Sequence, residues 1–271
     1  MAVKCYFMQK YIDEMLKRKD LLIYLVKSGL KAEHRNSYLG YFWWLLDPLL
    51  GVLVYYFLIG VILGRGGENF AVFLVIGLVA WRWTNATVNN SAKAILKYSS
   101  IINQVYMPKS IFPITISFTQ LINFSFGLVV VALFLAFFGV VPGWQVIYLP
   151  IIVLVQLVFL LAISLFLSYV CVFIRDIDNV LTHVTRLWFY SSPVIWEGGR
   201  LSGAADTHFW VHVLITINPF AHIVTAYRDI LMYQTSPQFT GLIVIGLASV
   251  AVIIGLLYYY SRNEHKIIKA L

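Results

Sequence analysis

Long apolar runs alternate with short basic clusters along this chain, and that alternation restricts its fold more than any motif does. Sixteen of the twenty Lys and Arg residues fall in four stretches: eight in 1–40, three in 93–110, two in 175–186 and three in 261–271. The connectors on the other side hold Arg65 in the first, no basic residue in 141–147, and Arg200 and Arg228 in the third. Basic residues collect on the cytoplasmic side of polytopic membrane proteins. The pattern therefore predicts an inside N-terminus, six crossings and an inside C-terminus. The chain is 61% hydrophobic and 12% charged, against about 25% charged for a soluble domain. No soluble fold of 271 residues hides that much apolar surface, so the bilayer must cover it. The net charge of +8 then belongs against an anionic inner leaflet rather than nucleic acid. Residues 1–20 carry Lys4, Lys10, Lys17, Arg18 and Lys19 but no apolar core of a signal peptide, so the first span directs insertion.

The expected fold is an all-α polytopic membrane protein with two parts. Residues 1–40 form a cytoplasmic amphipathic arm, and 41–271 form a six-span transmembrane domain. In 5–34, Leu22, Leu25, Val26, Gly29 and Leu30 recur at helical spacing. Lys19, Lys27 and Lys31 flank them, as in a helix lying on the inner leaflet, with a break near Arg18. Spans of ~20 apolar residues are expected at about 41–63, 70–91, 111–140, 148–174, 180–196 and 240–260. Asp47-Pro48 interrupts the first. The second turns polar after Trp83, with Thr84, Asn85, Thr87, Asn89, Asn90 and Ser91; such a face must meet protein or water. In 207–234, Asn218-Pro219 splits an apolar stretch into two half-length helices, read as re-entrant on the outer side. A full crossing there would put the basic tail outside.

The chemistry is sparse. There is no G-x-x-x-x-G-K-[ST] loop to cradle ATP. No His/Cys/Asp/Glu cluster has metal-ligand spacing, and no Ser, His and acid constellation stands out. Cys5 and Cys171 make neither a disulfide framework nor a metal site. Asp47 and Arg82 are the only deep ionisable residues, too few for ion-coupled transport. The chain is expected to be a non-catalytic subunit powered by a partner. A docking segment is expected in 93–106, where Lys93, Leu96, Lys97, Ile101, Val105 and Tyr106 mix charge with an apolar face. Aromatics gather at Tyr38, Tyr41, Trp43 and Trp44, and again at Trp81, Trp83, Trp188 and Tyr190. The first group suits an interfacial belt; those inside spans also suit a path for sugars. With Arg82, Asn85 and Asn89, these residues other than Trp43 are the candidate substrate path. Arg82 either pairs with Asp47 or stands free in a wet path, and the polar face that follows it favours the second.

Arg35-Asn36-Ser37-Tyr38-Leu39-Gly40-Tyr41-Phe42-Trp43-Trp44-Leu45-Leu46-Asp47-Pro48 resembles the start of the permease subunits of type-2 ABC exporters of cell-surface polysaccharide. The similarity continues in Gly77-Leu78-Val79-Ala80-Trp81, Tyr106-Met107-Pro108-Lys109, Arg175-Asp176-Ile177, Ser192-Pro193-Val194-Ile195, Asn218-Pro219 and Tyr227-Arg228. Each motif is short; their order over nearly the whole chain is specific. The resemblance implies a homodimer in a bacterial plasma membrane, with two ATPase subunits that carry ATP and Mg. It implies export of an undecaprenyl-diphosphate-linked polymer, wall teichoic acid first and O-antigen or capsule polysaccharide as the alternative; a drug or small-lipid permease is a further alternative. It makes Lys93–Tyr106 the ATPase-coupling segment, with Arg175, Asp176 and Asp178 as a second contact, and the arm a guard over lipid-head access.

Overall fold

The computed structural model describes residues 11, 13–34, 38–64, 67, 69–99, 107–174, 176–196 and 216–270. Among them every regular element is helical. The arm helix is α1 (Lys19–His34), followed by α2 (Trp43–Ile62), α3 (Phe70–Ala92) and the short α4 (Ala94–Lys97). Next come α5 (Ile111–Phe137), α6 (Leu149–Phe173), α7 (Ile177–Ser191), α8 (Pro219–Leu231) and α9 (Phe239–Ala270). A 3-10 turn, Trp144–Tyr148, runs straight into α6.

Five of these helices are long and apolar enough to cross a membrane: α2, α3, α5, the rod Trp144–Phe173, and α9. The expected span at 180–196 is instead the fifteen-residue α7. At ~1.5 Å per residue it reaches about 22 Å, short of a bilayer core, because Ser192-Pro193 ends it. Its buried residues Leu181, Thr185 and Phe189 form a single stripe at i, i+4 and i+8. Of the outer half-helix pair, residues 207–215 lie outside the described set. The second half is α8, which starts as its sequence dictates: the Asn218 side chain accepts a hydrogen bond from the Phe220 N–H at 3.1 Å, and Pro219 fills the first helical position.

Helix α3 is the axle. It packs against α2, α5, α6, α7 and α8. Within its apolar window 83% of residues are buried, against 11% in α2. Its polar residues divide by face. Thr84, Thr87 and Ser91 are buried on the protein side. Thr84 and Thr87 donate to the carbonyls one turn back, at 3.2 and 2.8 Å, and Ser91 meets Ser164 of α6. Gln156 of α6 donates to the Ala80 carbonyl and to Thr84 Oγ1, each at 3.1 Å. Tyr227 of α8 completes this lattice by donating to Gln156 Oε1 at 2.9 Å.

One end of the bundle gathers the arm, residues 107–110 and the last turns of α9; we term it the basic end. The arm breaks at Arg18, as its sequence predicts. Leu25 and Val26 of its stripe are buried, and α1 packs on α5, so the stripe meets protein rather than lipid. Tyr11 shares a 3.0 Å hydrogen bond with Ser110. Lys109 is fully buried: its backbone N–H donates to Glu264 at 3.0 Å and its ammonium to the Met107 carbonyl at 2.9 Å. Burial pushes the pKa of that ammonium down; Glu264 raises it and Arg18 lowers it further.

At the opposite end Arg228, 3% exposed, ties three segments. Its guanidinium donates to the carbonyls of Pro193, Val194 (2.7 Å) and Phe73 (3.2 Å), with the Phe73 ring 3.4 Å beneath it. Gly77 makes the space: a Cβ there would stand 2.5 Å from Arg228 Nη2 and 2.7 Å from the Val194 carbonyl oxygen. Gly77→Ala is expected to displace the guanidinium and destabilise the fold by about 1–3 kcal/mol, the cost of a buried polar group left unpaired. Thermal unfolding in detergent measures this; an unchanged midpoint refutes it. A second expectation concerns topology. In a background lacking Cys5 and Cys171, a cysteine at the exposed Gln238 should react with an impermeant thiol reagent on intact cells; labelling only after lysis would place that residue inside.

Candidate substrate cavity

Two polar stripes face each other across the gap between α3 and α7. On α3, Arg82, Asn85, Asn89 and Lys93 recur at three- and four-residue steps. On α7, Asp178, Thr182, Arg186 and Tyr190 recur every four residues. Both spacings keep side chains on one helix face. Together with Asp47 and Tyr55 of α2 they line a cavity of about 790 Å3.

The charges inside are nearly balanced. Arg82 Nη2 lies 2.5 Å from Asp47 Oδ2, with both side chains about two-fifths exposed (41% and 40%). The pairing alternative is thus the one adopted, and the paired Arg82 still lines the cavity. Lys93 Nζ lies 2.7 Å from Asp178 Oδ2 and closes the cavity at the basic end. Arg186 lines the cavity with no carboxylate against it among the described residues. Between the charges stand amides, and Asn89 Nδ2 donates to Asn85 Oδ1 at 2.9 Å.

Of the path residues expected from sequence, Trp81, Arg82, Asn85, Asn89 and Tyr190 line this cavity. Four others do not. Trp83 stacks on Phe124 (4.4 Å between centroids) and Trp44 on Phe126 (4.2 Å), both turned toward α5. Trp188 is held inward: its indole N–H donates to Asn218 at 2.9 Å and its ring meets Trp81 edge-on at 5.6 Å. Tyr38 is fully exposed and away from the cavity. The Tyr41 side chain, Ile101, Tyr106 and Arg175 lie outside the described set.

In the expected coupling segment, Lys93 and Asp178 join the two connectors directly. Lys97 and Asp176 are exposed and Leu96 is half-buried. Ala94 and Ile95 are fully buried, and Tyr98 stacks on Phe112 of α5 at 5.0 Å. Part of the segment's apolar face is therefore spent inside this chain. Sequence reasoning missed Arg186, Thr182 and Asn90 as cavity residues. The four-residue polar repeat of α7 carried that signal, hidden because the segment was read as an apolar span from its aromatic and aliphatic residues alone.

The Arg82–Asp47 pair is solvent-screened, so its worth is modest, about 1 kcal/mol. Arg82→Ala and Asp47→Ala should each lower folded yield slightly, and the double substitution should cost less than the sum of the two. A strictly additive double-mutant cycle would show no interaction energy between them.

The family model for ABC-2 type transporters matches residues 20–232. An O-antigen export system permease protein, RfbA, of Myxococcus xanthus is 29% identical over 246 residues, covering 91% of this chain and 93% of the relative. A Klebsiella pneumoniae protein of the same name is 28% identical over 239 residues, covering 84% and 90%. Both relatives are named for O-antigen export, not for wall teichoic acid, so the comparisons favour the alternative cargo class over the first. The subunit is non-catalytic, and nucleotide binding falls to a separate ATPase. With most of its length matched and five apolar helices, this chain is a multi-pass membrane protein and belongs to the ABC-2 type transporter family.

Proposed function

We propose that this chain is the transmembrane subunit of an ATP-driven exporter of a cell-surface polysaccharide of the O-antigen class, carried on an undecaprenyl-diphosphate lipid. The observation that carries the reading is the cavity between α3 and α7. Its lining of amides, hydroxyls, Trp81 and Tyr190, with two of its cations already neutralised, suits a long hydroxylated chain that must slide. A drug or small-lipid permease would present a more apolar wall. The relatives named for O-antigen export support the same cargo.

The working unit is proposed as two copies of this chain with two ATPase subunits. Only 11% of the residues in the apolar window of α2 are buried, and α7 exposes Val180, Val184, Leu187 and Tyr190; a second copy facing these helices would close the cavity into a channel. Residues 93–106 and 175–179 are proposed to receive the ATPase stroke. The arm 1–40 precedes a 41–271 domain whose termini both lie inside, with α7 and the segment after it supplying the sixth crossing.

The experiment is complementation. Deleting the gene should abolish the surface polymer, and the wild-type gene should restore it. Arg186→Glu reverses the cavity cation that meets no carboxylate among the described residues and should lower export without lowering membrane abundance. Leu96→Asp should release the ATPase in a pull-down. Full surface polymer in the deletion strain would refute the export reading.

A further inference from the structure

A second, smaller cavity opens beside the first, toward α5. Its volume is about 250 Å3. It shares Pro48, Arg82, Ala86 and Asn90 with the main cavity. Trp83, Gln120 and Asn123 line the small cavity alone. Arg82 therefore stands at the threshold between the two.

Three properties define what fits. First, the lining contains no carboxylate, and its single cation, Arg82, is already held by Asp47. That favours a neutral guest over a cation or an anion. Second, the lining is rich in hydrogen-bonding groups. The Asn123 amide donates to Gln120 Oε1 at 3.1 Å. Trp83 is 2% exposed, and its indole N–H has no hydrogen-bond partner among the described residues. The indole nitrogen itself is closed off from the cavity space in this arrangement; buried donors are nearly always paired, so a small turn of the ring that lets an acceptor reach it is favoured. Third, the size is limited. At ~30 Å3 per water the space holds about eight waters, which one sugar ring can replace and a chain of sugars cannot.

A polar cavity of this size is wet rather than empty. A guest that displaces ordered waters must reproduce their hydrogen bonds. Ring hydroxyls do so, because each donates and accepts as water does. Aromatic rings of Trp44, Trp83 and Phe124 complete the lining, and they suit the apolar faces of a pyranose. Gly127 keeps the floor low: a Cβ there would meet Val79 Cγ1 at 2.7 Å.

We propose that this side cavity is a binding pocket for a single neutral sugar ring, reached from the main cavity past Arg82, with the Trp83 indole N–H as a recognition donor. The proposal rests on the polysaccharide reading of the main cavity and adds a recognition site to it. One ring of a passing or arriving glycan turns aside into the pocket, while the chain itself remains in the larger space.

The test uses the permease–ATPase complex in lipid nanodiscs. Saturation-transfer NMR is run with D-glucose, D-galactose, D-mannose and N-acetyl-D-glucosamine as probes. At least one should receive saturation from the wild-type complex. Trp83→Phe keeps an aromatic ring but removes the N–H together with the rest of the five-membered ring, so folded yield should fall somewhat, while the sugar signal per folded complex falls about fivefold or more, at least the effect of one lost hydrogen bond. Asn123→Leu, measured alongside, serves if Trp83→Phe folds poorly. The proposal is overturned if no probe receives saturation, or if a folded variant keeps the wild-type signal. Complementation judges the export reading separately. Restored surface polymer with no sugar bound would sink the pocket and leave export standing; sugar bound through Trp83 without any effect on surface polymer would do the reverse.

Discussion

Arg228 carries its charge into the packed interior of an apolar bundle, where a lone cation costs several kcal/mol. The cost is offset by three backbone carbonyls and the face of Phe73. Those carbonyls are not incidental. Pro193 and Val194 sit just past the end of α7, in a turn whose carbonyls no helix donor satisfies. One side chain thereby finishes α7, fixes the start of α3 and seats α8. Gly77 is glycine because the guanidinium and the Val194 carbonyl occupy the room a methyl would need. Asn218 extends the arrangement, accepting from Trp188 at 2.9 Å and donating to Ser192 at 2.8 Å. The α3–α7 wall of the cavity is an outcome of these bonds.

The same view explains which parts of the molecule the sequence discloses. The polar turn of α3 after Trp83 had to face protein or water, and it does both. Thr84, Thr87 and Ser91 bond to backbone and to Ser164, whereas Arg82, Asn85 and Asn89 face the cavity. The arm's stripe follows from simple periodicity. The short motifs Gly77, Ser192-Pro193-Val194, Asn218-Pro219 and Arg228 are scattered along the chain because they are the pieces of one buried junction.

Other features were illegible for physical reasons. Apolar content does not show which face of α7 packs inside: Val180, Val184 and Leu187 are exposed, whereas Leu181, Thr185 and Phe189 are buried. An aromatic inside a span looks the same whether it lines a path or fills a core. Trp81 lines the cavity, yet Trp188, its edge-on neighbour, turns inward to Asn218. Arg82 and Asp47 lie 35 residues apart in sequence, and only the packing of α2 on α3 decides that they meet.

Helices α3 and α7 run antiparallel and are joined at both ends by bonds of very different strength. At one end the joint is the buried Arg228 with its three carbonyls; about 30 Å away along α3, by helical rise, it is the single pair Lys93–Asp178, whose lysine is 62% exposed. Water and salt weaken the second joint and barely touch the first. The two helices therefore behave as tongs, riveted at the far end and only latched at the mouth. The latch residues belong to the two connectors that border the basic end. A push on those connectors acts on the weakest joint at the greatest distance from the pivot. A small displacement there widens the cleft without unpacking the junction that holds the bundle together.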